Sequence, residues 1–261
     1  MTAVEPAQPG AEAMAAELGE AIEQRRLRLY YQPIVSLVDR VANEVEALPR
    51  WPRNDDQVLA PLDFIGVAEE FDLLGNLERW AIETAFEQLS RWRRSTDLDV
   101  SLNLSEDHLY EGALPEEIRE AAERSDVEPR RLSLEISETA LMEATGQRLE
   151  RLNELSGLGV GLTVDDYSGA IPKEELARLP TTTLKISRRV VAGIPDGIRP
   201  TETAVGAIRI ARELGVTVIA NGIESPGQLA ALRDMGCQFG QGFLFSIPMP
   251  AEVLAERAAS R

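Results

Sequence analysis

The chain has 261 residues and a mass of 28.7 kDa, with 44 Asp and Glu against 27 Lys and Arg, giving a formal net charge of −17. That sign argues against a nucleic-acid binder, which needs a basic face to displace counterions. Hydrophobic residues at 44% and charged residues at 27% exclude disorder throughout. The length admits two small domains or one barrel of about 250 residues.

Cys237 and His108 are the single cysteine and histidine, which removes disulfide scaffolds and Cys/His zinc sites. Any metal would be held by oxygen, which favours Mg²⁺, Mn²⁺ or Ca²⁺. No apolar run reaches transmembrane length, and Met1 to Ala15 has neither the basic start nor the apolar stretch of a signal peptide. A cytoplasmic protein without membrane contact is expected.

Residues 1–15, rich in Ala, Glu, Pro and Gly, read as a disordered tail, with one domain expected over residues 16–261. Eight strand-like runs follow in order: Leu29 to Leu37, Val41 to Leu48, Val100 to Leu104, Leu132 to Ile136, Val160 to Val164, Thr182 to Ile186, Val216 to Ala220 and Phe239 to Phe243. Amphipathic helices lie between them, as where Leu77, Trp80, Ala81, Ala85, Leu89 and Trp92 fall on one face. Gly159, Gly215 and Gly236 each stand where a helix ends in the left-handed conformation. Ser225-Pro226-Gly227-Gln228 has the pattern of a capping box with Pro at the first helical position. This alternation predicts an α/β fold, a modified (β/α)8 TIM-type barrel. The first two strands have too short a link for a helical crossover, so the first strand is expected to be antiparallel.

In such a barrel the working residues lie at the carboxyl ends of the strands. Those positions carry Glu46, Asn103, Glu135, Asp165 with Asp166, Lys185, Asn221 and Gln241. Carboxylates and an amide converging on one rim suit one or two oxygen-ligated divalent cations.

The motifs Tyr31-Gln32-Pro33-Ile34, Glu46-Ala47-Leu48-Pro49-Arg50-Trp51, Asn103-Leu104-Ser105, Leu134-Glu135-Ile136-Ser137-Glu138, Asp165-Asp166-Tyr167, Leu184-Lys185-Ile186 and Gln241-Gly242 occur in this order. From about Leu27 to Pro250 the chain resembles the EAL domains, the cyclic di-GMP phosphodiesterases named after a Glu-Ala-Leu triplet. The resemblance implies two Mg²⁺ or Mn²⁺ ions that hold a water against one phosphate and open the ring to linear pGpG. It implies that Glu46, Asn103, Glu135 and Asp165 hold the first ion, and that Asp166 contributes to the second. Ca²⁺ would serve as a non-catalytic substitute. Arg50 resembles a phosphate-binding Arg, Lys185 keeps an electrostatic role, and Gln32, Leu48 and Gln241 stand where the family contacts its ligand. Glu138 resembles the anchor of the loop after the Asp pair, a loop that couples dimerisation to metal binding in the family.

The chain departs from the pattern in three places. Asn221 in Ala220-Asn221-Gly222-Ile223-Glu224 replaces the Glu thought to act as general base, and an amide cannot take a proton from water. Ser187 replaces the Asp of Lys-Ile-Asp. Asp-Asp-Phe-Gly-Thr-Gly becomes Asp165-Asp166-Tyr167-Ser168-Gly169-Ala170, which calls for a rebuilt loop unless Gly169 takes over the turn. The expected function is therefore a degenerate domain that binds cyclic di-GMP with metal assistance, hydrolyses it little or not at all, and acts as a receptor. The first alternative is an active or slow cyclic di-GMP phosphodiesterase producing pGpG, in which Asp166, Glu224 or metal hydroxide replaces the base. The second is an interaction protein with a vestigial pocket. A homodimer and a separate protein that supplies the signal are the further partners implied.

Other features have simpler readings. Gly157, Gly159 and Gly161 follow a helix and enter a strand, the reverse of a dinucleotide-binding turn. Asn103-Leu104-Ser105 matches a glycosylation acceptor with no secretion signal to use it. His108 reads as an ordinary polar residue, Cys237 as a buried small hydrophobe, and Glu116-Glu117 and Glu174-Glu175 as solvated helix starts.

Overall fold

A computed structural model describes residues 10–54, 57–93, 96–110, 113–142 and 144–259. The first half runs α1 (Ala11–Glu23), β1 (Arg28–Ser36), β2 (Ala42–Asn54), β3 (Gln57–Leu59), α2 (Pro61–Glu70), α3 (Leu74–Trp92), β4 (Asp99–Asn103), α4 (Glu106–Tyr110), α5 (Leu114–Ser125) and β5 (Leu132–Ser137). The second half runs α6 (Glu138–Met142), α7 (Gln147–Gly157), β6 (Gly161–Tyr167), α8 (Lys173–Leu176), β7 (Thr183–Ile186), α9 (Arg188–Ala192), α10 (Ile198–Leu214), β8 (Thr217–Asn221), α11 (Pro226–Asp234), β9 (Phe239–Gln241), β10 (Met249–Pro250) and α12 (Ala251–Ala259).

Strands β2, β4, β5, β6, β7, β8 and β9 pair in parallel in that order. β1 closes the barrel, antiparallel to both β2 and β9. The expected barrel with an antiparallel first strand is therefore present. The cause is the tight β1–β2 link: Ser36 Oγ accepts from the amides of Val38 and Asp39, and Arg40 takes φ +63°. Such a hairpin forces antiparallel pairing.

Several boundaries differ from the sequence expectation. Helix α1 begins at Ala11, not near Ala16, and buries Ala15, Leu18, Ala21 and Ile22. Its Ala- and Glu-rich sequence is good helix former, and the buried stripe docks it on α2 and α3. Residues 1–9 of the expected tail lie outside the described residues. Strand β2 continues past Leu48 to Asn54 and folds back as β3, a hairpin in which Trp51 pairs with Leu59. Pro49 and Pro52 conceal it in the sequence, because proline signals a strand interior only at edges. Strand β9 stops at Gln241, and Gly242 beyond it lies so close to Ile223 that an added Cβ would sit 2.1 Å from the Ile223 carbonyl oxygen.

The strand alternation sorts the side chains into two populations. Val45, Ala47, Val100, Leu102, Leu134, Ile136, Leu162, Val164, Leu184, Ile186, Val218 and Ala220 belong to the buried apolar core. The opposite rows supply Glu46, Ser101, Asn103, Ser133, Glu135, Thr163 and Lys185, whose mutual hydrogen bonds place them inside the barrel. The three junction glycines take φ of +94°, +72° and +86° at Gly159, Gly215 and Gly236, as their position after helices requires. At the start of α11, Ser225 Oγ accepts from Gln228 N while Gln228 Oε1 accepts from Ser225 N, the reciprocal cap read from the sequence. Among the described residues no helix is long and apolar enough to cross a membrane.

Leu18 is fully buried, so Leu18→Ala is expected to lower the unfolding free energy in urea by about 2–5 kcal/mol. A change within about 0.5 kcal/mol, the size of a surface effect, would mean that α1 does not belong to the cooperative unit.

Candidate active site

Lys185, at the end of β7, is fully buried in the barrel, and its Nζ donates to Glu46 Oε2 at 2.9 Å and Glu135 Oε2 at 2.5 Å. The other oxygens of both carboxylates are also engaged. Asn103 Nδ2 donates to Glu46 Oε1 at 2.7 Å, and Ser101 Oγ donates to Glu135 Oε1 at 2.6 Å. Gln241 Nε2 bridges Glu46 Oε2 at 2.7 Å and Gln32 Oε1 at 3.2 Å, and Gln32 Nε2 donates to the Ser246 carbonyl at 2.9 Å. Six strands and the loop after β9 are thus tied through one network.

The electrostatics follow from burial. Desolvation lowers the affinity of Lys185 for its proton, but Glu135, Glu46 and Asp165 outweigh it and hold the ammonium well above its ordinary pKa. Burial also pushes Glu46 up, but Lys185 and the bonds from Gln241 and Asn103 bring it below the usual carboxylate value. Glu135 stays raised, by burial first and then by Glu46, with Lys185 opposing. Asp165 is raised chiefly by burial. One ammonium therefore faces three crowded carboxyl groups, an arrangement with room for further positive charge.

The donors fit a hard divalent cation. Asp165 Oδ1 and Gln241 Oε1 are buried without a hydrogen-bond partner, an unsatisfied state that a cation or its water would relieve. With Glu46, Asn103 and Glu135 they would offer oxygens of the type that suits Mg²⁺, Mn²⁺ or Ca²⁺. Among the described residues no three Asp, Glu, His or Cys side chains are disposed as a metal shell, and Glu46 and Glu135 are instead both paired with Lys185. Asp166 is placed differently. Strand β6 shifts register between Val164 and Tyr167, Asp166 takes φ +53°, and its exposed carboxylate accepts from Ser187 Oγ at 2.6 Å.

The remaining expected residues line the same rim. Glu46, Leu48 and Arg50 alternate along one row of β2, and half-buried Arg50 lies 5.5 Å over the Tyr30 ring while its Nη1 donates to the Pro49 carbonyl. Asn221 ends β8, paired in register with Gln241. Gly222, at φ +81°, follows it, and a Cβ there would strike Arg188 Cγ at 2.4 Å. The amides of Gly222 and Ile223 both donate to the Gln241 carbonyl at 2.9 Å, which fixes the segment that carries Asn221. Glu224 stands at the surface in an ion pair with Arg188 at 2.6 Å.

The loop after β6 is closed. Glu138 accepts from Ser168 N at 2.8 Å, Ser168 Oγ at 2.7 Å, Ala170 N at 2.7 Å and Ile171 N at 3.0 Å. Gly169, at φ +90°, makes the turn, and Ser168 and Ala170 keep negative φ. The turn has moved to Gly169, the simpler of the two outcomes left open by the sequence.

Sequence reasoning missed three residues. Ser101 lies two positions before Asn103 on the same strand face and caps Glu135. Glu78, on α3, accepts from Ser105 N at 2.7 Å and Ser105 Oγ at 2.9 Å. Its signal was a charge three, four and seven residues ahead of Ala81, Ile82 and Ala85, on the apolar stripe. His108 is not an ordinary loop polar residue but is 1% exposed, with both ring nitrogens 2.9 Å from carboxylates. Glu117, read as a solvated helix start, is one of those carboxylates. Cys237 is buried as expected, which pushes its thiol up to about 12.

In metal-free buffer with chelator, Lys185→Met is expected to cost about 3–5 kcal/mol in urea unfolding, because two buried carboxylates lose their counter-charge. Added Mg²⁺ is expected to recover part of the loss. An unchanged midpoint would contradict the role given to Lys185.

A family model described as the EAL domain matches residues 15–248. The cyclic di-GMP phosphodiesterase NbdA of Pseudomonas aeruginosa is 36% identical over 246 residues, 93% of this chain and 31% of that protein. The bifunctional diguanylate cyclase/cyclic di-GMP phosphodiesterase MucR of the same organism is 32% identical over 93% of this chain and 36% of that protein. This chain thus spans about a third of the length of the curated relatives it matches. The solved structure of the PaMucR phosphodiesterase in a c-di-GMP complex superposes with a TM-score of 0.88 at 31% identity, over 93% of this chain and 99% of that one. The Xanthomonas citri FimX EAL domain in complex with c-diGMP shares the fold, with a TM-score of 0.85 at 21% identity over 92% of this chain and 94% of that one. A family match over most of the chain, a barrel closed by an antiparallel first strand and the convergence of Glu46, Asn103, Glu135, Asp165 and Lys185 agree: the chain belongs to the EAL domain family.

Proposed function

We propose that this EAL domain binds cyclic di-GMP with the help of a divalent cation and turns it over little or not at all, acting as a cytoplasmic receptor. The observation that carries the reading is Asn221, a neutral amide on a rim whose other polar groups are retained. Glu46, Asn103, Glu135 and Asp165 would hold Mg²⁺ or Mn²⁺, with Ca²⁺ as a non-catalytic substitute. When bound, the cation supplies positive charge to a phosphate oxygen and lowers the pKa of a water.

The chain's own residues divide binding from turnover. Arg50 presents a planar fork to an anionic oxygen pair, and Gln32, Leu48 and Gln241 border the same opening. Lys185 lends positive potential from beneath. Asn221 orients a water by hydrogen bonding but accepts no proton from it. The loss of a general base alone removes about 10²- to 10⁴-fold in rate. The two carboxylates that could substitute are committed elsewhere, Asp166 to Ser187 and Glu224 to Arg188. Ser187 offers Asp166 a hydroxyl donor in place of a second carboxylate from that position.

The second reading is a slow phosphodiesterase that yields pGpG, favoured by the 36% identity to NbdA and the retained donor set. A homodimer through the helix after the Glu138-anchored loop, and a protein that supplies the signal, complete the proposal. The net charge of −17 argues against a nucleic-acid partner.

Arg50→Ala is expected to weaken cyclic di-GMP binding in calorimetry about tenfold or more, the worth of a charge-assisted hydrogen bond. Asn221→Glu is expected to raise pGpG formation above that of the native chain while leaving affinity within a few fold. Native turnover unaffected by Asn221→Glu would sink the role assigned to Asn221, and affinity indifferent to Arg50 would sink the binding geometry.

A further inference from the structure

His108 has no part in the site described above, yet it is buried with a carboxylate against each ring nitrogen. Its Nδ1 lies 2.9 Å from Glu78 Oε2 on α3, and its Nε2 lies 2.9 Å from Glu117 Oε2 on α5. A neutral imidazole has one N–H, so either tautomer would set a nitrogen lone pair against a carboxylate oxygen. Both contacts are satisfied together only by the imidazolium. Glu78 at the same time holds Ser105 through its amide and its hydroxyl, two residues beyond Asn103. Leu104 N donates to the Glu135 carbonyl at 2.9 Å and Asn103 Nδ2 to Glu46, so the segment gripped by Glu78 is the one that presents Asn103 to the site.

We propose that protonated His108 is a positioning residue, a clamp between Glu78 and Glu117 that fixes the Asn103–Ser105 segment, so that ligand affinity falls as the imidazolium loses its proton. The effect on affinity rests on the cyclic di-GMP reading; the clamp itself does not.

The charges around the ring balance only in the protonated state. Glu78 and Glu117 face it, Arg79 Nε donates to Glu117 Oε1 at 2.5 Å, and on its own helix Glu106 pairs with Arg148 of α7 at 2.6 Å while Asp107 is exposed. Among the described residues the ion-pair partner of buried Glu78 is His108, so a neutral ring would remove it. Burial lowers the pKa of His108, but Glu78 and Glu117 outweigh it and raise it above 6.5. The sign follows: the clamp contributes in full below the unfolded value near 6.5 and is lost as pH rises through the raised folded value.

His108 is the single histidine of the chain, so its ring gives one resolved set of NMR signals in the intact protein. The ring is expected to titrate above 6.5, the amides of Asn103 and Ser105 to shift with the same midpoint, and cyclic di-GMP affinity to weaken at least about fivefold across it, the scale of a coupled equilibrium. In Glu117→Gln, where the amide can donate to Nε2, a neutral ring keeps its bond to Glu78. The ring midpoint should then return toward the ordinary value, and the pH dependence of both amides and affinity should vanish. A ring that titrates at or below 6.5, or amides that stay still while it titrates, would overturn the proposal. Amides that move while affinity stays flat would overturn its link to the ligand. Absence of nucleotide binding at every pH would instead defeat the receptor reading, with the amide shifts still deciding the clamp.

Discussion

The ammonium of Lys185 between Glu46 and Glu135 is the contact on which the rest of the barrel is organised. Ions removed from water lose several kcal/mol each, which is recovered only where every oxygen and proton finds a partner. Here Asn103, Ser101 and Gln241 complete the carboxylates, and Gln32 extends the network to the chain beyond β9. The interior is therefore a polar site and not the layered apolar packing common in barrels of this type. The apolar load moves to the outward strand faces and the helices over them, which hold the buried core.

Two rim loops are fixed by the same physical device. A carboxylate buried beside the barrel, Glu138 for the loop after β6 and Glu78 for the loop after β4, accepts backbone N–H groups of the segment that follows a donor residue. Charge-assisted bonds of this type are short and strong, and they set the position of a loop without restricting its sequence. The loop after β6 illustrates the tolerance: the positive φ resides at Gly169, and Glu138 still receives four donors. Binding geometry is thus held by groups other than those that would carry out chemistry. Under the proposed function, a domain built this way would keep its pocket with Asn221 standing where a base would act.

Much of this was legible in the sequence, for identifiable reasons. Outward strand positions must be apolar to meet helices, so eight short apolar runs reveal the barrel strands, and the residue at each carboxyl end names the rim. Strand β3 and the upper half of β2 were hidden because Pro49 and Pro52 break the pattern, although the hairpin there is an edge that tolerates proline. The start of α1 was hidden by an alanine-rich turn that resembles a tail until Leu18 and Ile22 are seen against α2 and α3. Side-chain partnerships across distant elements were not legible at all. The bonds of His108 to Glu78 and Glu117 join residues 30 and 9 positions apart on three helices, and the Asp166–Ser187 bond spans 21. Such contacts depend on helix placement to within a bond length, which periodicity does not encode.

Affinity and turnover make separable demands, since only groups that act on the transition state alone raise the rate. In the proposed function the cation donors, Arg50 and Lys185 would serve both states of the ligand, whereas a base at position 221 would serve the transition state alone. The most direct test is to hold the protein in excess over cyclic di-GMP with Mg²⁺, recover the bound nucleotide after prolonged incubation and resolve it by chromatography. The account predicts that the nucleotide is retained by the protein and recovered intact. Recovery of pGpG within a few minutes would contradict it.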